Sequence, residues 1–335
     1  LTTVLVTGGT GFIAQHCIQQ LLRRGCRVRT TVRDLSREQA LRAAVASNES
    51  ESLLGVAAAD LTRDEGWQAA VDGVEYVLHT ASPVPVAPPR DESQLIIPAL
   101  EGTRRVLEAS ARAGVRRVVH TSSIAAVLGG VERVVGATFT EADWSNPAGD
   151  IQAYARSKTL AERAAWEFQA SLPASQRFEL CTVNPVYVIG PSLDGHANAS
   201  NEIIRKLIDR EIPGLPRLYF PLVDVRDVAT AHLLAMTNER AAGERFILSA
   251  HDVWYSDIAA VLRTGGHRVP TRGIPDWLVH VLSWFSGTVR RVIPGLGWEF
   301  HASSEKARRI LGWETRPLQE TVLDTATSIL SRRGK

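Results

Sequence analysis

Thr3-Val-Leu-Val-Thr7-Gly8-Gly9-Thr10-Gly11-Phe12-Ile13-Ala14 decides how the rest of the chain is read. Aliphatic and β-branched residues at 3–7 make a short buried strand, the glycines make a tight turn, and the apolar residues from Phe12 open a helix. At such a turn the backbone comes close to a pyrophosphate, because the free N–H groups and the positive dipole end of a helix favour anions. Gly8 and Gly11 permit the approach, and Thr10, Phe12 and Ile13 complete the turn. A glycine-rich turn can also be a plain connector; its place in a first strand–helix unit is what favours the phosphate reading.

Downstream the rhythm repeats. Strands are expected at Thr3–Thr7, Arg27–Val32, Leu54–Ala59, Tyr76–Thr80, Val115–Thr121 and Phe178–Val183, with helices at Phe12–Arg24, Glu38–Val45, Glu65–Val71, Ser93–Ala113 and Gln152–Ser171. Short β-branched runs alternating with amphipathic stretches predict an α/β protein with a doubly wound parallel sheet, whose ligand lies at the strands' carboxyl ends. After Pro185 the pattern breaks at Gly190-Pro191, Pro213-Gly214 and Leu215-Pro216. We therefore expect a dinucleotide-binding domain over 1–185 with a return segment near 220–250, where Val223–Met236 reads as a short strand entering a helix. Residues 186–219 and 251–335 would form a smaller, interleaved substrate-binding lobe. The apolar stretch Trp277–Phe285, with Trp254 and Trp298, reads as that lobe's core in preference to a pocket lining.

Composition narrows the function. The 335 residues are 44% hydrophobic and 22% charged, as in ordinary globular chains, and the net charge of +2 is too small for a nucleic-acid or anionic-membrane binder. The 34 Arg against 4 Lys read as a base-composition bias. Cys17, Cys26 and Cys181 have no metal or disulfide spacing, and His79, His120 and His232 read as packed histidines, so no metal is expected. No basic leader and no uninterrupted apolar run of membrane-spanning length is present, so a soluble, cytoplasmic protein is expected.

The second strand ends Thr30-Thr31-Val32-Arg33-Asp34. Arg33 stands where an acid would bind a free ribose 2′-hydroxyl, which favours NADP(H) over NAD; the alternative leaves Arg33 solvated and gives the ribose to Asp34. Asp60-Leu61 follows the third strand, where Asp60 could accept from an adenine amino group or cap the next helix. Tyr154 and Lys158 lie four apart on one helix face, where the ammonium would lower the phenol pKa and make it a proton donor to a carbonyl oxygen. Chance predicts about 0.06 such pairs here, although an exposed helix pair is a common meaning of one. The fifth strand ends Thr121-Ser122-Ser123, so a serine hydroxyl reaches the same sheet edge.

Thr7–Ile13, Thr121-Ser-Ser123, Tyr154–Lys158 and Asn184-Pro185 together resemble the extended short-chain dehydrogenase/reductases over essentially the whole chain, a Rossmann-fold family. His79-Thr-Ala-Ser-Pro83, Val32-Arg-Asp34 and Val223-Asp-Val-Arg-Asp-Val228 are similar to the branch of dihydroflavonol reductases, cinnamoyl-CoA reductases and microbial aldehyde/ketone reductases. The resemblance implies NADPH-dependent, reversible reduction of an aldehyde or ketone. Ser123 would orient the carbonyl, Tyr154 donate the proton, and Lys158 hold the nicotinamide ribose and lower the Tyr pKa. It further implies cofactor contacts at Asp60, Leu61, Thr80, Ala81, Ser82, Pro185, Val188 and Ser200. The partner is a small molecule, and the family allows monomer or homodimer. Plant dihydroflavonol reductases carry an Asn five residues past the catalytic Ser, where this chain has Leu128, so a strong preference for hydroxylated rings is not expected. Two alternatives are an NAD-dependent nucleotide-sugar epimerase or dehydratase, disfavoured by the absence of a Thr-Asp-Glu triplet after the fifth strand, and a non-enzymatic dinucleotide sensor, disfavoured by the intact Tyr/Lys pair.

Overall fold

The computed structural model describes residues 1–83, 91–195 and 198–331. In chain order the elements are β1 (Thr3–Val6), α1 (Phe12–Arg23), β2 (Arg27–Val32), α2 (Glu38–Val45), β3 (Leu54–Ala58), α3 (Trp67–Val71), β4 (Tyr76–His79), α4 (Ser93–Arg112), β5 (Arg117–Thr121), α5 (Ala125–Leu128), β6 (Ala137–Phe139), α6 (Ala153–Ser171), β7 (Glu179–Pro185), β8 (Tyr187–Ile189), α7 (Glu202–Ile208), β9 (Tyr219–Asp224), α8 (Val225–Thr237), β10 (Arg245–Leu248), β11 (His251–Trp254), α9 (Tyr255–Thr264), α10 (Asp276–Phe285), α11 (Gly287–Val292), β12 (Phe300–Ala302) and α12 (Leu318–Leu330).

Seven strands form the main sheet in the order β10-β7-β5-β4-β1-β2-β3, every neighbouring pair parallel. Parallel strands buried on both faces read as unbroken apolar runs, and alternate residues here serve different cores. Leu78 and Val119 pack with α1 and α8 through Ile18, Leu21 and Val228, while Val77 and Val118 pack with Val106, Leu107 and Ala165 of α4 and α6. The doubly wound α/β fold expected from the sequence is the fold observed.

Two readings need correction. The strand expected at Val223 spans Tyr219–Asp224 and pairs with β8 and β11 in a separate three-stranded sheet. The main sheet is instead completed by Arg245–Leu248, laid parallel to β7; this strand opens on a buried arginine, which a hydropathy pattern takes for surface. Helix α8 does return to the main sheet, its Val228 and Leu233 joining Val119 and Val183. The second correction concerns α10. The smaller lobe's core is built from Ile189, Ile204, Leu207, Leu222, Val253, Ile258, Leu262 and Val322. On α10 only Val279 and Ser283 are buried; Trp277, Trp284 and Phe285 are 67%, 73% and 84% exposed. Their spacing gathers them on one helix face, and that face points outward.

Charged groups fasten the chain's last helix. Asp224 caps α8 by accepting from Arg226 N at 2.8 Å and pairs with its guanidinium at 2.7 Å, and Arg226 also pairs with Asp324 of α12 at 2.7 Å. Asp227 pairs with Arg316 and accepts its backbone N–H at 2.8 Å. The Asp224–Asp227 segment is thus structural. Among the described residues no helix is long and apolar enough to cross a membrane.

Candidate active site

The turn after β1 is closed by short-range bonds and close contacts. Gly8 adopts φ +70°, and a Cβ there would sit 3.0 Å from Cα and Cβ of Ala81, so only glycine lets the turn lie against the segment after β4. Gly8 N donates to Thr31 Oγ1 at 3.0 Å, and Gly11 N to Gly8 O at 2.8 Å. Thr80 Oγ1 donates to Thr7 O at 2.6 Å, and Ala81 N to Thr7 Oγ1 at 3.0 Å. These bonds bring Gly8, Thr80 and Ala81 together, with Ser82 next in the chain. Gly11 is the N-cap of α1 and no side chain caps it. The first-turn N–H groups at Phe12 and Ile13 therefore lack the side-chain partner that most helix starts have, and this cradle fits a dinucleotide pyrophosphate.

Arg33 leaves the end of β2 exposed, and its charge helps hold the Asp60 carboxyl below the usual range, after the stronger effect of the Thr62 N–H. Asp34 is occupied locally, its Oδ1 accepting from Ser36 N at 2.9 Å. Asp60 Oδ1 accepts from both N and Oγ1 of Thr62 at 2.8 Å, so one of its oxygens caps its own turn. Leu61 packs against the spot where a Cβ of Gly102 would lie. Pro185 closes β7 and its carbonyl accepts from Ile124 N at 2.9 Å, with Val188 buried on β8. Ser200 sits in the turn before α7, and the neighbouring Asn201 donates to Gly190 O at 2.8 Å. It stands apart from the bonds that join the other residues.

Tyr154 and Lys158 lie one turn apart on α6, which crosses the carboxyl end of β5. The phenol lies beside Ser123, whose Oγ accepts from Ala125 N at 3.2 Å; burial raises the phenol pKa, and the nearby Ser123 hydroxyl offsets part of the rise. From the four-residue spacing alone, Lys158 is expected to lower this pKa. The lysine instead turns inward, its Nζ donating to Thr121 O at 3.1 Å, and its own pKa is pushed down to about 8 by burial, against the attraction of Glu162. Ser123 is held from behind by Asn184, whose Nδ2 donates to its carbonyl at 3.2 Å.

The three histidines are all buried here. His232 donates through Nδ1 to Val228 O at 2.8 Å, so its Nε2 accepts from Thr121 Oγ1 at 2.7 Å. Thr7 Oγ1, an acceptor for Ala81 N, shares a second hydrogen bond with His79 Nδ1 at 2.9 Å, and the His79 and His120 rings lie 5.2 Å apart. Burial holds His232 at about 4 and His120 at about 3, and His79 well below its usual value. All three are neutral at neutral pH.

Sequence reasoning missed Glu162, which is fully buried one turn beyond Lys158. The signal was present, since Tyr154, Lys158 and Glu162 repeat at intervals of four on one helix.

A seven-stranded parallel sheet with a glycine turn on its first strand and a Ser/Tyr/Lys set at its fifth defines a dinucleotide-dependent short-chain dehydrogenase/reductase of the extended type. The model for the NAD dependent epimerase/dehydratase family matches residues 4–248, and the chain belongs to that family, in the branch of carbonyl reductases. Its relatives include the NADPH-dependent methylglyoxal reductase GRE2 of Saccharomyces cerevisiae, 33% identical over 359 residues and 99% of each chain. Another is the cinnamoyl-CoA reductase CAD2 of Medicago truncatula, 34% identical over 337 residues, 98% of this chain and 96% of that one. The solved structure of the yeast methylglyoxal/isovaleraldehyde reductase Gre2 complexed with NADPH superposes with a TM-score of 0.82 at 31% identity, covering 99% of both chains.

Proposed function

We propose that this protein reduces an aldehyde or ketone to the alcohol with NADPH, reversibly, using Ser123, Tyr154 and Lys158. The observation that carries the reading is the placing of the Tyr154 phenol beside Ser123, near enough for the serine to lower its pKa, one helical turn from a buried lysine. Two neighbouring hydroxyls at a sheet edge can both donate to one carbonyl oxygen, where negative charge gathers as the carbonyl is reduced. NADPH, when bound, supplies the hydride.

Each side chain has a distinct part. Tyr154, with its pKa raised, is fully protonated at neutral pH and is therefore an acid in the direction of reduction. Ser123 orients the oxygen and steadies the phenol. Lys158 reaches the nicotinamide ribose when charged, and Arg33 meets the 2′-phosphate; Asp34, committed to Ser36, is the weaker rival for the ribose. The first-turn N–H groups at Phe12 and Ile13 take the pyrophosphate, and Asp60, Leu61, Thr80 to Ser82, Pro185, Val188 and Ser200 line the remainder. Leu128 on α5 offers no hydrogen bond to a ring hydroxyl, so the substrate is chosen by shape and carbonyl reactivity rather than by hydroxylation.

The test is NADPH and NADH consumption against small α-dicarbonyls, aromatic aldehydes, β-keto esters and cyclic ketones. Turnover with NADPH on members of this panel supports the reading. Silence across it, with NAD copurifying, would move the assignment to a nucleotide-sugar epimerase or dehydratase.

A further inference from the structure

Glu162 is 0% exposed on α6, and each of its oxygens is engaged. Oε2 accepts from Ser122 Oγ at 2.5 Å and from Asn184 Nδ2 at 2.8 Å; Oε1 accepts from Thr182 Oγ1 at 3.0 Å and from Arg245 Nε at 2.7 Å. One carboxylate thus binds the end of β5, two positions on β7 and the first residue of β10. Asn184 passes the constraint on, since the same amide nitrogen donates to the carbonyl of Ser123. Arg245 is fixed in turn by the carbonyls of Glu141 at 2.7 Å and Asp143 at 2.9 Å, and its guanidinium lies 3.7 Å from the ring centre of Trp144.

We propose that Glu162 is a positioning residue for the reduction: it fixes the Ser122-Ser123 edge through Ser122 and Asn184, and its negative charge keeps the buried Lys158 ammonium charged. The inference rests on the Ser/Tyr/Lys reading above and adds a fourth member to it.

The charge on Lys158 depends on what surrounds it. On its own helix it has Tyr154 on one side and Glu162 on the other. His79 of β4 and His120 of β5 face it from the sheet, and His232 of α8 lies beyond Thr121; none of the three is charged near neutral pH. Arg245 of β10 reaches the far side of Glu162. Burial lowers the lysine to about 8, and the Glu162 carboxylate is the charge that opposes the fall. Without it Lys158 would lose its proton at a lower pH. Because the charged form is the one that holds the ribose, activity and NADPH binding would then fail on the alkaline side sooner.

A merely structural ion pair makes a different prediction, and two substitutions separate the cases. Glu162→Gln keeps the shape and removes the charge: the alkaline limb of kcat/KM moves down by about one pH unit or more, and NADPH affinity read by fluorescence falls about tenfold at pH 8 while staying near normal at pH 6. Arg245→Met lowers the melting temperature at least as much, but frees Glu162 to act on Lys158, so the limb stays in place or moves up. Should Glu162→Gln alone fail to fold, Glu162→Gln with Arg245→Gln removes both buried charges and must still show the low limb. An unmoved limb in the charge-free variants, or a downward shift shared equally by Arg245→Met, would overturn the proposal. Tyr154→Phe run beside them tells the two readings apart: if it retains turnover, the Ser/Tyr/Lys assignment itself falls, whereas its inactivity with an unmoved Glu162 limb sinks only the role given to Glu162.

Discussion

Around the ends of β5 and β7, Thr121, Ser122, Lys158, Glu162 and Asn184 are buried and bonded across three or more elements, whereas along α10 the rings of Trp277, Trp284 and Phe285 stand in water. Both regions break the simple rule of apolar inside and polar outside. In the first, each of these five side chains has a directional partner that offsets its desolvation, so a change at one member is felt by the others. In the second, nothing within the described chain specifies where the rings go, and a change there should cost the fold little.

Substitutions and pH can break or sharpen this contrast. The largest effect is expected at the sheet edge: Tyr154→Phe should lower turnover about a hundredfold or more while NADPH binding, read by fluorescence, stays close to normal. Retained turnover would remove Tyr154 as the acid. Arg33→Ala should weaken NADPH by roughly tenfold or more and leave NADH nearly unchanged, in paired titrations; equal losses would show that Arg33 does not read the phosphate.

Acid should reveal the buried histidines. His232, about 4 in the folded chain against an ordinary 6.5, binds its proton in the unfolded state first, so the stability it contributes is complete above pH 6.5 and is lost as the pH falls towards 4. His16 of α1, also lowered to about 4 by burial, adds to the same window. Melting temperatures measured between pH 7 and 4 should fall steeply, and a flat profile would mean that these rings are not held neutral. The smallest effect is expected on α10, where Phe285→Ser should change unfolding free energy by no more than about 0.5 kcal/mol in denaturant titration. A loss of several times that would show that the ring has a partner after all.

Much of this was legible in the residues themselves. Strands β1, β2, β4, β5 and β7 announce themselves because their faces are mostly buried, leaving β-branched runs between amphipathic helices, while the edge strand β3 is read from its place in the alternation. The Ser123, Tyr154 and Lys158 set is legible because its spacing is local, within one helix and one strand end. What stayed hidden is non-local. Glu162 looks like one more helix charge until its partners are known, and those lie at the end of β5, on β7 and on β10, 20 to 83 positions away along the chain. Arg245 hides a strand for the same reason, since a residue usually found in solvent opens it. Trp277–Phe285 failed in the opposite direction: apolar residues at helical spacing record a face that could be buried, and only the neighbours decide whether it is.

The placement of β10 has a consequence for how the protein is made. It is the edge strand of the main sheet beside β7, yet about 60 residues separate the two, among them β8, α7, β9 and α8. A nascent chain released only as far as Ile208 already holds the glycine turn, Ser123, Tyr154, Lys158 and Glu162, but not the arginine that neutralises that glutamate. Six parallel strands can assemble at that stage, with an uncompensated carboxylate at their newest edge. The ribosome must deliver the opening segment of the second lobe, β8 to β9, before the first can finish its own sheet.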